Sequence, residues 1–203
     1  MIKNIVFDFG NVLVKHDFIG YFAEYFHSEE KARNFFKQAI PQELNNEMDR
    51  ELHPFRYHIE RQQQLWPEYK DALDLFDIHY ADFFTEEMPG MRQLMAELKA
   101  EGYRLLGLSN WSSKVNDVMA KFPDIFSMLE GSLISHTVHQ LKPEPEIYDT
   151  FLRKFGVEAG ECVFIDDRPA NIEGCRKVGM HGIVFSDTEQ LRNDLRQLLD
   201  AQR

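Results

Sequence analysis

The chain has 203 residues, 43% of them hydrophobic, and carries 34 acidic against 23 basic side chains for a net charge of −11. That length suits one domain with a modest insertion and a sizeable core. The acidic balance argues against nucleic acid, whose phosphates demand a basic surface, yet a metal and local cations could still receive a small phosphorylated metabolite. No stretch approaches the roughly 18 apolar residues of a membrane span, and no basic-then-apolar leader opens the chain, so a cytoplasmic protein with no membrane partner is expected.

Residues 2–7 read as a buried strand, and Asp8 follows at once, with the turn residues Gly10 and Asn11 behind it. In open α/β sheets the loops diverge at the carboxyl ends of strands and leave a crevice, so an acid there is a candidate nucleophile or metal ligand. Taken alone it reads first as a cap of the following turn. Residues 17–85 show no strand pattern but many aromatic side chains at helical spacing, such as Phe18, Tyr21, Phe22, Tyr25 and Phe26. This is the pattern of an all-helical insertion, a cap, whose aromatic face is core and not a ligand box.

From Pro89 onward helix and strand signals alternate. A helix over 89–100 ends at Gly102, and Tyr103 to Leu108 is an apolar strand. A helix near 113–121, a strand near 129–134, a helix over 144–155, a strand over 162–165, a helix near 169–178, a strand over 182–185 and a helix from 187 follow. Such alternation predicts an α/β fold, a Rossmann-like parallel sheet with helices on both faces. The core would be residues 1–16 and 86–203, with 17–85 as the helical cap. Cys162 and Cys175 lack any ligand spacing and read as two buried thiols.

Asp8, Ser109 and the pair Asp166-Asp167 each end an apolar strand, so three strands deliver polar groups to one edge of the sheet. With strands about 4.8 Å apart, these groups would surround one small anion and one ion. Phosphoryl transfer needs a nucleophile, neutralisation of the non-bridging oxygens and fixed in-line geometry. Asp8 can attack phosphorus to form an aspartyl-phosphate; Ser109, with backbone N–H groups near it, can hold a phosphate oxygen; Lys142 can neutralise both phosphate and Asp8. Several carboxylates facing a phosphate require a cation, and Mg²⁺ suits hard oxygen ligands. The expected ligands are Asp8, the Gly10 carbonyl and Asp167, with Asp166 behind them orienting a metal-bound water or Lys142.

The segments Asp8-Phe9-Gly10-Asn11-Val12, Ser109-Asn110, Lys142-Pro143 and Asp166-Asp167 with Asn171-Ile172-Glu173-Gly174 resemble, in order, the four motifs of the haloacid dehalogenase-like hydrolase superfamily. They are similar in particular to the branch of bacterial glucose-1-phosphate phosphatase and the phosphatase domain of soluble epoxide hydrolase. The resemblance implies a Rossmann-like core, an inserted helical cap, an aspartate nucleophile, Mg²⁺ and a phosphate-ester substrate, sugar phosphates such as glucose 1-phosphate first among them, with Ser109, Asn110 and Lys142 binding it.

One departure matters. Phosphatases of this superfamily usually carry a second Asp two residues after the nucleophile as general acid and base, where this chain has Gly10. General acid-base catalysis is worth about 10² to 10⁴-fold, so slow turnover of poor leaving groups is expected, with anomeric, acyl or aryl phosphates favoured. Asp17, Glu47 or Asp49 of the cap could supply the proton instead, though charges in such a run read first as a solvated helix face. His16 could contact substrate or serve as a hinge, and Trp111 could wall the pocket or simply pack. Two competing readings remain: a metal-independent haloacid dehalogenase, disfavoured by two acids in the last motif, and a non-catalytic phosphate-binding protein, supported by Gly10 alone. Aromatic-rich cap helices could also support a homodimer.

Overall fold

A computed structural model describes residues 1–201 of the chain. Five strands form one parallel sheet: β1 (Asn4–Phe7), β4 (Arg104–Ser109), β5 (Gly131–Ile134), β6 (Cys162–Asp166) and β7 (His181–Val184), ordered β5-β4-β1-β6-β7. A separate antiparallel ribbon pairs β2 (Val14–His16) with β3 (Phe84–Glu87). The expected boundaries hold within a few residues in the second half. Phe84 and Thr85, assigned to a purely helical stretch by their sequence, instead begin β3. Its acid-rich run carries no strand signal, and its partner lies some 70 residues back along the chain.

Alternation of side chains along each strand loads both faces of the sheet with apolar residues, as a parallel sheet buried on both sides requires. Ile5, Phe7, Leu105, Val163 and Ile165 face one layer, formed by α6 (Met91–Ala100), α7 (Val115–Lys121), α8 (Pro123–Phe126) and α11 (Thr188–Asp200). Val6, Leu106, Leu108, Leu133 and Phe164 face the other, where α9 (Pro145–Phe155) and α10 (Pro169–Lys177) lay down Ile147, Tyr148, Phe151, Ile172 and Cys175. Cys162 and Cys175 are both buried and free.

Between β2 and β3 run α1 (Phe18–Phe26), α2 (Glu29–Ala39), α3 (Gln42–Arg50), α4 (Phe55–Leu65) and α5 (Lys70–Ile78), with 3₁₀ turns over Pro67–Tyr69 and Tyr80–Phe83. Asp17 starts α1 by accepting the Gly20 N–H at 2.7 Å, and Ser28 starts α2 through the Lys31 N–H at 3.3 Å. Their amphipathic faces meet in an aromatic core, with Phe22 against Phe35 at 4.9 Å between ring centroids and Phe18 against Phe83 at 5.1 Å. The aromatic face of α1 is therefore packing, as its spacing predicts, apart from Phe18, which also borders the cleft. Among the described residues no helix is long and apolar enough to cross a membrane.

The sheet order reverses at β1: the chain goes from β1 to β4 and β5 on one side, then returns to β6 and β7 on the other. At such a switch point the loops leave in opposite directions and open a crevice at the carboxyl ends of the strands. Two glycines allow the loops around it to close up. A Cβ on Gly107 would lie 2.6 Å from the Phe9 ring, which folds back over β4, and one on Gly174 would lie 2.7 Å from the Pro143 carbonyl oxygen. Only a residue without a side chain lets α10 approach the Lys142–Pro143 loop so closely.

Candidate active site

Asp8 stands one residue past β1, its N–H donating to the Ile165 carbonyl at 2.9 Å and so fixing the acid at the sheet edge. The chain then turns sharply. The Phe9 carbonyl accepts from Leu13 at 2.8 Å, and Asn11 takes the left-handed conformation with φ 59°, which Asn tolerates better than most residues. Ser109 ends β4 and Asp166 ends β6, on the two strands that flank β1.

Lys142 arrives from the loop after β5 and is itself buried, its ammonium 2.9 Å from Asp8 Oδ1, 2.7 Å from Asp166 Oδ2 and 3.1 Å from the Leu108 carbonyl. Asn110 holds that loop by a two-way amide pair: the Lys142 N–H donates to Asn110 Oδ1 at 2.8 Å, and Asn110 Nδ2 donates to the Lys142 carbonyl at 2.9 Å. Ser109 Oγ donates to the same Asp8 Oδ1 at 2.7 Å. Burial pushes the Asp8 carboxyl above its ordinary range against the pull of the Lys142 charge, with the Asp166 charge adding to the rise. For Lys142 burial works to lower the ammonium, but the charges of Asp166 and Asp8 outweigh it and hold it above its usual value.

Carboxylate oxygens of Asp8, Asp166 and Asp167 all lie within 4.8 Å of one another. Their partners divide them. Asp166 has both oxygens engaged, by Lys142, by the Arg168 N–H at 2.8 Å and by Asn171 Nδ2 at 3.0 and 2.9 Å. Asp8 uses only Oδ1, and Asp167 uses only Oδ2, which accepts from Asn11 Nδ2 at 3.3 Å. Among the described residues, Asp8 Oδ2 and Asp167 Oδ1 therefore keep free lone pairs. Two free anionic oxygens beside an all-oxygen donor set fit a hard divalent cation such as Mg²⁺. The saturated Asp166 fits a supporting place behind them.

A cleft of about 190 Å³ opens over these groups. Its floor is Asp8, Gly10, Asn11, Ser109, Asn110, Lys142 and Asp167, with Arg168 and Asn171 at the start of α10; its roof is Phe18, Gln42, Asn45, Asp49, Tyr80 and Phe84. His16 and Trp111 form one wall: the His16 ring lies 4.7 Å from Phe18 and 5.7 Å from Phe84, and Trp111 lies 4.9 Å from Phe84. Burial lowers His16 below its ordinary value, opposed by the charges of Asp167 and Asp17.

The three acids considered for the helical segment fare differently. Asp17 is exposed and caps α1, and Glu47 is exposed and paired with Arg61 at 3.3 Å, as solvated charges should be. Asp49 departs from that reading: it is buried and faces the cleft, because Leu44 and Met48 turn one side of α3 into the core and carry the next position inward with them. Burial pushes its carboxyl up to about 7, with the Asp8 charge adding and the Ser112 backbone N–H, Lys142 and Arg168 opposing. Sequence reasoning gave no weight to Gln42 and Asn45 and left Asn171 as part of a motif, without its grip on Asp166. The polar run Gln42-Glu43-Leu44-Asn45 held no local sign of which face meets the sheet.

A family model for haloacid dehalogenase-like hydrolases matches residues 2–179. The chain belongs to that family. Within the haloacid dehalogenase-like hydrolases, flavin mononucleotide hydrolase 1 of Arabidopsis thaliana is 31% identical over 111 residues, 55% of this chain and 45% of its own. Bifunctional epoxide hydrolase 2 of Rattus norvegicus is 32% identical over 116 residues, 55% of this chain and 21% of its own. The match thus spans less than half the length of either relative. A Bacteroides thetaiotaomicron enzyme of the family, solved with magnesium and inorganic phosphate, shares the fold over 93% of this chain and 96% of its own, with a TM-score of 0.71 at 19% identity.

Proposed function

We propose that this haloacid dehalogenase-like hydrolase is a Mg²⁺-dependent phosphatase of small phosphate esters, sugar phosphates such as glucose 1-phosphate foremost, working through an aspartyl-phosphate on Asp8. The observation that carries the reading is the asymmetry of Asp8: Ser109 and Lys142 fix Oδ1, while Oδ2 is left free in the cleft. A carboxylate held in this way is fixed in orientation with room beside it for a cation, and little orientational freedom remains to be lost on the way to the transition state.

In this reading the Asp8 carboxylate attacks phosphorus, the ester P–O bond breaks, and the alcohol departs. Water then attacks the phosphorus of the aspartyl-phosphate, releasing phosphate and restoring the carboxylate. Ser109, Asn110 and Lys142 bind the phosphoryl oxygens, and Asp166 keeps Lys142 aimed between the two acids. Asp8, the Gly10 carbonyl and Asp167 would hold Mg²⁺, whose charge offsets that of the phosphate and lets an anionic nucleophile approach it. Residues 17–85 serve as a cap over the core of 1–16 and 86–203, excluding water and meeting the leaving group. The compartment we assign is the cytoplasm, where such metabolites are made.

A screen of phosphate esters with Mg²⁺, pairing anomeric with primary sugar phosphates, tests the reading. Phosphate release that stops with EDTA and is lost in Asp8→Asn is expected. Halide release from 2-haloacids that survives EDTA would replace it with dehalogenation, and tight ester binding without turnover would leave a binding protein.

A further inference from the structure

The phosphatase reading leaves one requirement unassigned, the proton for the leaving oxygen, since Gly10 has no side chain to give it. We propose that Asp49, from the last turn of α3, is the general acid and base of the reaction, reaching the leaving group from the roof of the cleft; this inference rests on the phosphatase reading.

The way α3 ends supports the assignment. Three consecutive residues there are tied to the loops that carry Ser109 and Lys142. The Asp49 carbonyl accepts from Ser135 Oγ at 2.6 Å, and that oxygen in turn accepts from the Trp111 N–H at 2.8 Å. Arg50 donates to the His139 carbonyl at 2.9 Å and pairs with Glu144 at 2.5 Å, while His139 Nδ1 meets the Arg50 carbonyl at 2.8 Å. Glu51 accepts from both the N–H and the Oγ of Ser113, at 2.5 and 2.7 Å. These bonds hold the buried carboxyl of Asp49 over the mouths of β4 and β5, with Asn45 Nδ2 donating to its Oδ2 at 3.0 Å. A solvated helix acid needs no such scaffold, and a proton donor that must meet a leaving oxygen does.

The electrostatic setting agrees. Burial is the largest influence on Asp49, opposed by the Ser112 N–H and the charges of Lys142 and Arg168 and reinforced by that of Asp8, so both protonation states are populated near neutral pH. His16 and Tyr80 also line the cleft above its floor; burial raises the Tyr80 hydroxyl and favours the neutral His16 ring, so neither has a proton to donate as an acid of ordinary strength. In the first step Asp49 gives its proton to the ester oxygen as the P–O bond breaks, and the neutral alcohol leaves. In the second the Asp49 carboxylate takes a proton from the attacking water, phosphate departs from Asp8, and the acid is restored. The sum is ester plus water giving alcohol plus phosphate.

The test measures first-turnover release of the alcohol by rapid quench, with Mg²⁺, from a primary sugar phosphate and from 4-nitrophenyl phosphate. Asp49→Asn should slow the alkyl ester about 10² to 10⁴-fold, while 4-nitrophenol, which needs little protonation, is released within about threefold of the wild-type rate. A burst followed by slow turnover should mark the accumulated aspartyl-phosphate. Equal slowing of both esters, or of neither, overturns the proposal, as does a selective loss in His16→Gln in place of Asp49→Asn. If Asp49→Asn does not fold, Asp49→Ser is measured in the same way, with the same selective loss expected. In the wild type, first-turnover rates should vary by no more than about tenfold across aryl and alkyl leaving groups, and a steep dependence overturns the proposal. Absence of phosphate release from every ester, or activity retained in Asp8→Asn, would instead remove the phosphatase reading and this proposal with it.

Discussion

Replacing Lys142 by Met isolates the cation that holds the site together. The ammonium lies 2.9 Å from Asp8 and 2.7 Å from Asp166, and its side chain is 1% exposed. At an effective dielectric of 20, each contact is worth about 6 kcal/mol of gross attraction, so about 12 kcal/mol disappears with the charge. Most of that gross figure offsets the desolvation of three buried ions, and removing one partner of such a cluster costs about 3–5 kcal/mol net. For a chain of this size the melting temperature should fall by about 6–20 °C. The loss should depend on pH. Without the lysine, burial and the Asp166 charge both keep raising Asp8 with nothing comparable to oppose them. An acid whose folded pKa exceeds its unfolded one loses stability as pH rises, so the variant should be further below the wild type at pH 8 than at pH 6. Thermal melts of both proteins at the two pH values, with and without Mg²⁺, measure this. A variant melting within 2 °C of the wild type at both would refute the view that the ion triad is held under mutual obligation.

Two further outcomes follow from the same packing. Gly174→Ala places a Cβ 2.7 Å from the Pro143 carbonyl oxygen, so the Lys142 loop must shift; a loss of about 1–3 kcal/mol in urea unfolding and a fall in kcat should accompany it, and an unchanged Lys142 function would count against the tight fit. For Asp49, a carboxyl raised to about 7 from 3.8 makes the folded state bind the extra proton between those values, so its contribution to stability drains away as pH climbs and is gone above 7. Urea midpoints of the wild type and Asp49→Asn should therefore converge, or cross in favour of the variant, by about 2–3 kcal/mol between pH 5 and pH 8. A pH-independent difference would show that Asp49 is ionised throughout.

What the sequence disclosed was what short stretches of it encode. Asp8, Ser109 and Asp166-Asp167 each follow an apolar run directly, so their place at strand mouths could be read without knowing the fold, and the alternation after Pro89 gave the parallel sheet. Lys142 was legible only through Pro143 after it and its order among the motifs. Asp49 was legible only as one of three cap acids, and its burial over the cleft was not. Its neighbours Asn46, Glu47, Met48 and Arg50 give a helix that looks solvated, and the burial comes from loops 60 to 95 residues away, through Ser112, Ser135 and Glu144. The ribbon β2–β3 escaped for a related reason. Pairing across 70 residues leaves no mark on a window of four, least of all in Phe84-Thr85-Glu86-Glu87, where alternation is too short to register.

The ribbon has a consequence for descent. Because Val14–His16 and Phe84–Glu87 lie side by side, the chain leaves the sheet and rejoins it at nearly one point, and everything between is a detour. A detour closed at its base can grow, shrink or be exchanged without disturbing strand order, the register of β1 or the grip of Lys142 on its two acids. Selection can therefore rewrite what the roof of the cleft recognises while the floor stays constant. A chain built on this plan can vary its roof and keep its floor, and a roof helix such as α3 can bring an acid over Asp8 from above.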